Sequence, residues 1–119
     1  MLVEVHNVRQ IPGEGFRRWF SDDYFDLIVW HDDVGLMSGF QLCYDKTGYE
    51  RVLTWRRGHG YAHDRIDDGE TPGEPKRTPI LALDGVFEKK QVALAFRNAS
   101  GAIDRSVADF VHETIRRYA

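Results

Sequence analysis

A chain of 119 residues, 42% hydrophobic and 29% charged, has room for one modest core; that excludes a two-domain machine and a disordered polyampholyte. The formal net charge of -3 argues against a nucleic-acid module, whose footprint is a basic surplus, and the longest apolar runs, "LIVW" and "ILAL", fall far short of the roughly 20 residues of a membrane helix. Cys43 is the only cysteine, so no intrachain disulfide can form, and with a polar start where a signal peptide would be apolar the expected compartment is the cytoplasm.

In chain order, "LVEVHNV" predicts a first strand, and "GFRRWF" a second strand or a short helical turn. Four strands are expected at 24–31, 36–44, 49–56 and 59–66, separated by "DDVG", "DKTG" and a turn centred on Arg57-Gly58. Asp favours the first position of a type I turn and Gly accepts the left-handed residue that closes a hairpin, so turns recurring at nearly equal spacing describe an up-and-down meander. Residues 67–79, "DDGETPGEPKRTP", read as an exposed loop, with a mobile lid as the weaker reading. "ILAL" follows as an edge strand or a buried connector. Asp84 is a candidate N-cap for a helix over 85–98, and Asp104 for a second helix with Val107, Phe110, Val111, Thr114, Ile115 and Tyr118 on one face. The fold class is therefore α+β: a single domain over 1–119, with a meander of four to six strands over about 1–66 and a C-terminal helical hairpin over about 84–118 packed on one sheet face.

Placing the turn ends at Asp32–Gly35 and Asp45–Gly48 sets a register in which Phe25 faces Leu42, Leu27 faces Phe40, and Phe40 faces Leu53. Alternation then sends Phe25, Leu27, Val29, Phe40, Leu42, Leu53 and Trp55 to the core face. The opposite, mixed face collects cross-strand rows: Asp26, Gln41, Val52, His63; Ile28, Gly39, Thr54, Tyr61; Trp30, Met37, Arg56, His59; and Tyr24, Cys43, Glu50, Arg65, in which Glu50–Arg65 is charge-complementary.

"WRRGHGYAHD", residues 55–64, holds two histidines four apart, a spacing that shares a metal on a helix. Gly58 and Gly60 disfavour a helix, and along a strand four residues span roughly 13 Å, so His59 and His63 cannot hold one ion and no metal is expected. Cys43 has only Glu50 and Tyr24 in its row, which would not stabilise a thiolate. No phosphate loop, nucleophile elbow or nucleotide fingerprint occurs, and no cofactor is implied.

The run "RRWFSDDYFDLIVWHDDVGLMSGFQLCYDKTGYERVLTW" resembles a group of small uncharacterised bacterial proteins. The resemblance covers the meander and part of its lead-in and rests on "DLIVW", the acidic turn, "GFQLCYD" and "LTW", none of them catalytic. It implies a bacterial, cytoplasmic chain and carries no activity.

The leading expectation is a non-enzymatic ligand-binding or protein-interaction domain that uses Trp19, Trp30, Met37, Arg56, His59 and Tyr61 on the mixed face, since aromatics beside Arg mark recognition surfaces. The rival is a small enzyme with Asp26 and His63 as acid–base groups assisted by Gln41. A minor alternative is single-stranded nucleic-acid binding through Arg17-Arg18, Arg56-Arg57 and Arg65 beside Trp19, Trp30 and Tyr61, against which the acidic "SDDYFD" speaks. The mixed face is also expected to form a homodimer, unless the N-terminal strand and the 67–79 loop cover it.

Overall fold

The computed structural model describes residues 1–67, 80–83 and 87–118. Seven strands run in order through one antiparallel sheet: β1 (Val3–Val5), β2 (Phe16–Ser21), β3 (Phe25–His31), β4 (Met37–Tyr44), β5 (Arg51–Arg56), β6 (Gly60–Asp67) and β7 (Ile80–Leu83). Helices α1 (Lys89–Ala99) and α2 (Arg105–Arg116) follow and cover one face, so the fold is the expected α+β meander with a C-terminal helical hairpin. "GFRRWF" is a strand, and "ILAL" pairs with β6 as the last strand. Residues 68–79 of the expected loop and the Asp84 cap lie outside the described residues. Asp67 ends β6, and α1 starts after Glu88, several residues later than the sequence suggested.

The core is built by strand alternation on one side and helical spacing on the other. Phe20, Phe25, Leu27, Val29, Phe40, Leu42 and Leu53 meet Phe87, Val92, Phe96, Val107, Val111 and Ile115, and every expected core position but Trp55 is fully buried. Trp55 is half-buried, stacked on Phe40 and edge-on to Phe110. Leu2 lies at the same core, and its amide donates to the Ala99 carbonyl at 2.8 Å, pinning the start of the chain to the end of α1.

All three hairpins are wider than the sequence register assumed, and the parity of the difference decides the outcome. The first closes between Asp32 and Leu36, whose backbones bond at 2.8 Å, rather than between Asp32 and Gly35. Ser38 is then an extra residue: His31 pairs with Met37, but Trp30 with Gly39. The two increments add to a shift of two, so Phe25 faces Tyr44 and Leu27 faces Leu42, and most of both strands keep their faces. The second hairpin likewise shifts by two, with Phe40 opposite Trp55 and Leu42 opposite Leu53. The third shifts by one, because three residues, Arg57 to His59, separate the paired Arg56 and Gly60. An odd shift exchanges the faces of β6. Leu53 now faces His63 and Trp55 faces Tyr61, so both residues turn toward the helices, and Arg65 sits opposite Arg51 rather than Glu50.

Candidate functional site

The face away from the helices carries Trp19, Asp26, Ile28, Trp30, Gly39, Gln41, Thr54 and Arg56, by alternation from the register. The expected cluster of six therefore divides. Tyr61 is on the helix side, where its hydroxyl donates to the Thr114 carbonyl at 2.7 Å. Met37 is carried there too by the Ser38 bulge and packs against the core beside Trp55, Tyr61 and Phe110. Trp19 lies nearer the sheet edge, where it lines a groove of about 190 Å³ with Ile28, Arg17 and the lead-in residues Asn7 to Arg9. Gln10 holds that lead-in against β2, accepting from the Arg17 amide and donating to the Arg17 carbonyl, both at 2.9 Å.

Trp30, Arg56 and His59 do come together. They line an open cleft of about 590 Å³, with His31, Asp32, Asp33, Ser38, Gly39, Arg57 and the Gly13–Gly15 loop completing its walls. The cleft follows from one cross-strand row, in which Trp30 pairs with Gly39 and Gly39 with Arg56. Gly39, between these two large residues, is itself buried. A side chain could not be inserted cheaply, since a Cβ on Gly39 would stand 2.8 Å from the Trp55 carbonyl oxygen. The Arg56 stem leans against this glycine, its Cγ 3.5 Å from the same Cβ position.

The walls are fixed by turn chemistry. The Asp32 carboxylate accepts from the amides of Val34 and Leu36 and from the Arg57 guanidinium at 2.8 Å, and the hydrogen bond from Arg57 is the largest reason that its pKa lies below the ordinary aspartate range. The Arg57 amide donates to the Ser38 carbonyl at 2.9 Å, tying the third turn to the bulge. Gly15, at φ +74°, lies so close to His31 that a Cβ would stand 2.5 Å from the His31 carbonyl oxygen. The His31 Nδ1 is 3.1 Å from the Gly35 carbonyl and so carries the proton there, while its buried Nε2 has no partner among the described residues. Arg57 is thus engaged with Asp32. Among the described residues, Arg56 makes no ion pair or ring contact, and Trp30 makes no ring contact.

The acid–base set does not converge. His63 is 6% exposed on the helix side, its Nε2 2.5 Å from the Tyr44 hydroxyl and its ring between Tyr44 and Phe87. Asp26 is on the other face, accepting from the Ser21 hydroxyl at 2.6 Å and the Lys46 ammonium at 3.2 Å. Gln41 shares the face of Asp26 but pairs across with Ile28 and Thr54. The one-residue shift of β6 separates His63 from both. His59, in the third turn, and His63, in the core, likewise occupy different surroundings, and among the described residues no three His, Cys, Asp or Glu side chains are grouped to hold a metal. Burial, then Glu50 and Asp26, push the Cys43 thiol up to about 11, which keeps it protonated at neutral pH.

Sequence reasoning missed Gly39, the Asp32–Arg57 brace and the Gly13–Gly15 loop as parts of a site. Gly39 alone carried a signal, because a glycine inside a strand of large residues marks a close approach or a gap. Among the described residues, no helix is long and apolar enough to cross a membrane. No family model matches the chain, and no curated protein or solved structure matches it.

Proposed function

We propose that this protein is a small non-enzymatic ligand-binding domain whose site is the cleft over Gly39. The row Trp30–Gly39–Arg56 carries this reading. It brings an aromatic side chain and an arginine that makes no ion pair or ring contact among the described residues into one cleft of about 590 Å³. That volume falls in the range of small-molecule sites, and aromatic and Arg side chains are the usual anchors of recognition. His59 at the rim, and Asp32 braced by Arg57, add polar groups in fixed places. A metabolite screen by amide and indole chemical shifts is the test. Ligands are expected to move the signals of Trp30, Gly39 and Arg56 together, and Trp30→Ala and Arg56→Ala each to weaken binding about tenfold or more. Hits that leave those signals still, or that bind both variants as well as the wild type, would refute the assignment.

A second reading, self-association, is favoured by a different part of the same face. Among the described residues, Val3 and Trp19 remain 60% and 38% exposed beside half-buried Ile28, where the lead-in residues border the sheet. This region is nearer the β1 edge, whereas the cleft is at β3–β5, so the two uses are compatible.

A further inference from the structure

We propose that the groove between α2 and the ends of β4, β5 and β6 docks an acidic segment of a partner protein, anchored by an apolar side chain against Trp55 and Phe110. The groove, of about 420 Å³, is on the helix side of the sheet, and the proposal does not depend on the cleft being a ligand site. It arises where the core is left open. Trp55 is the one expected core position that is not fully buried, and Met37, Tyr61 and Phe110 around it are half-buried too. The Trp55 ring stands between the two walls, 6.0 Å from Phe40 on the sheet and 5.3 Å from Phe110 on the helix. Phe110, Thr114 and the C-cap residue Arg117 recur at helical spacing along the α2 wall. Leu36, 60% exposed in the first hairpin, carries the apolar lining outwards.

The composition of the lining points to a protein, and its charge to an acidic one. Aromatic residues, Met and Arg are enriched in protein–protein interfaces, and Lys, Asp and Glu are depleted. Among the described residues, this groove has Trp, Tyr, Phe, Met and two arginines, and none of the depleted three. In such surfaces the half-buried anchors supply affinity, while charges at the rim set the sign of the partner. Both charged groups here, Arg57 and Arg117, are positive. Arg57 is braced by Asp32, but Glu113 alone is shared between Arg116 and Arg117 at 3.6 and 3.2 Å, which leaves positive charge over at this end of α2. Burial raises the Tyr61 pKa and the Arg117 charge opposes the rise, so that charge bears on the groove itself. The Tyr61 and Thr114 hydroxyls are spent internally, donating at 2.7 Å to the Thr114 and Phe110 carbonyls, whereas the Trp55 indole N–H donates to no group among the described residues. What the groove offers a partner is therefore apolar area edged by donors, which carboxylates beside an apolar side chain would answer. A polyanion without such a side chain would leave Trp55, Met37 and Leu36 unused, and the overall charge of -3 opposes it.

The experiment is a chemical-shift titration of the full chain with three peptides of about ten residues. The first has glutamates around a central phenylalanine and leucine, the second replaces its glutamates by lysines, and the third replaces its apolar pair by serines. Expected are shifts of the Trp55 indole and Met37 methyl signals with the first peptide, and binding of the other two weaker by about tenfold or more. Leu36→Glu and Arg117→Glu lie at exposed positions, so both variants stay folded, and each is expected to weaken the first peptide by about tenfold or more. The Trp30 and Gly39 signals are expected to stay still, which keeps the outcome separate from that of the cleft. Unmoved Trp55 and Met37 signals, or a lysine peptide that binds as well as the glutamate one, would overturn the proposal. Phosphatidylglycerol vesicles that move these signals when the first peptide does not would overturn it in favour of an anionic lipid surface.

Discussion

Phe40 and Gln41 are adjacent in β4 and have opposite fates. Phe40 is fully buried and stacked on Trp55 at 6.0 Å, whereas Gln41 is half-buried on the face away from the helices. Phe40→Ala is expected to cost about 3–5 kcal/mol through the cavity it leaves, enough to unfold a marginal domain. Gln41→Ala is expected to cost under about 1 kcal/mol, and urea denaturation of both variants measures the contrast. Gly15 is a backbone case of the same kind. At φ +74°, with the His31 carbonyl in the path of any Cβ, Gly15→Ala is expected to destabilise by about 1–3 kcal/mol and to disturb the cleft wall. An alanine variant as stable as wild type in urea would mean that the loop relaxes freely. Cys43, held protonated by burial and nearby carboxylates, is expected to react with iodoacetamide at pH 8 much more slowly than a free thiol does. Alkylation at the free-thiol rate, followed by mass, would contradict that burial.

At the level of elements, one carboxylate joins the sheet to the helices. Asp104 caps α2, accepting from the Ser106 amide at 2.9 Å and its hydroxyl at 2.7 Å, and also receives the Arg18 guanidinium at 3.1 Å, which in turn holds Glu4 of β1. The Ser106 hydroxyl, then Arg18, lower its pKa to about 2. A carboxylate depressed in the folded state contributes stability above its unfolded pKa and loses it as pH falls through the folded one. The Asp104 contribution should therefore be complete above about pH 4 and vanish toward pH 2. Asp104→Ala is expected to cost about 1–2 kcal/mol at neutral pH, as the loss of a cap does. Urea midpoints of the variant and the wild type, followed from pH 7 to pH 2, should converge. A gap that persists unchanged to pH 2 would show that the charge is not what Asp104 supplies.

For the whole molecule, the consequential asymmetry is that both helices lie on one side of a seven-stranded sheet. The other side is not uniformly bare, since Val52 is fully buried there and Asn7 to Arg9 border Trp19. Among the described residues, Val3 and Trp19 stay exposed near β1–β3, where the proposed self-association would pair two copies about a twofold axis, the commonest closed assembly. Sedimentation is expected to show a dimer that Trp19→Glu converts to a folded monomer. A wild type that stays monomeric at high concentration would eliminate the pairing, and an unchanged mass in the variant would place any contact elsewhere.

The sequence by itself determined the meander, its turns and its core, because each is written locally. Asp-x-x-Gly, repeated once after thirteen residues, marks the first two hairpins, alternation in "YFDLIVW" and "GFQLCY" marks the buried face, and Asp104 followed by apolar residues at helical spacing marks α2. Trp30, Arg56 and His59 could be grouped because two register shifts of two residues leave the side-chain alternation intact. Only the tertiary structure decided the rest. A bulge at Ser38 and a three-residue third turn are each a matter of one residue in hairpin closure, too small to read from composition. Yet an odd shift reverses a face, and so Met37, Tyr61 and His63 belong to the helix side while Trp30, Gly39 and Arg56 line one cleft.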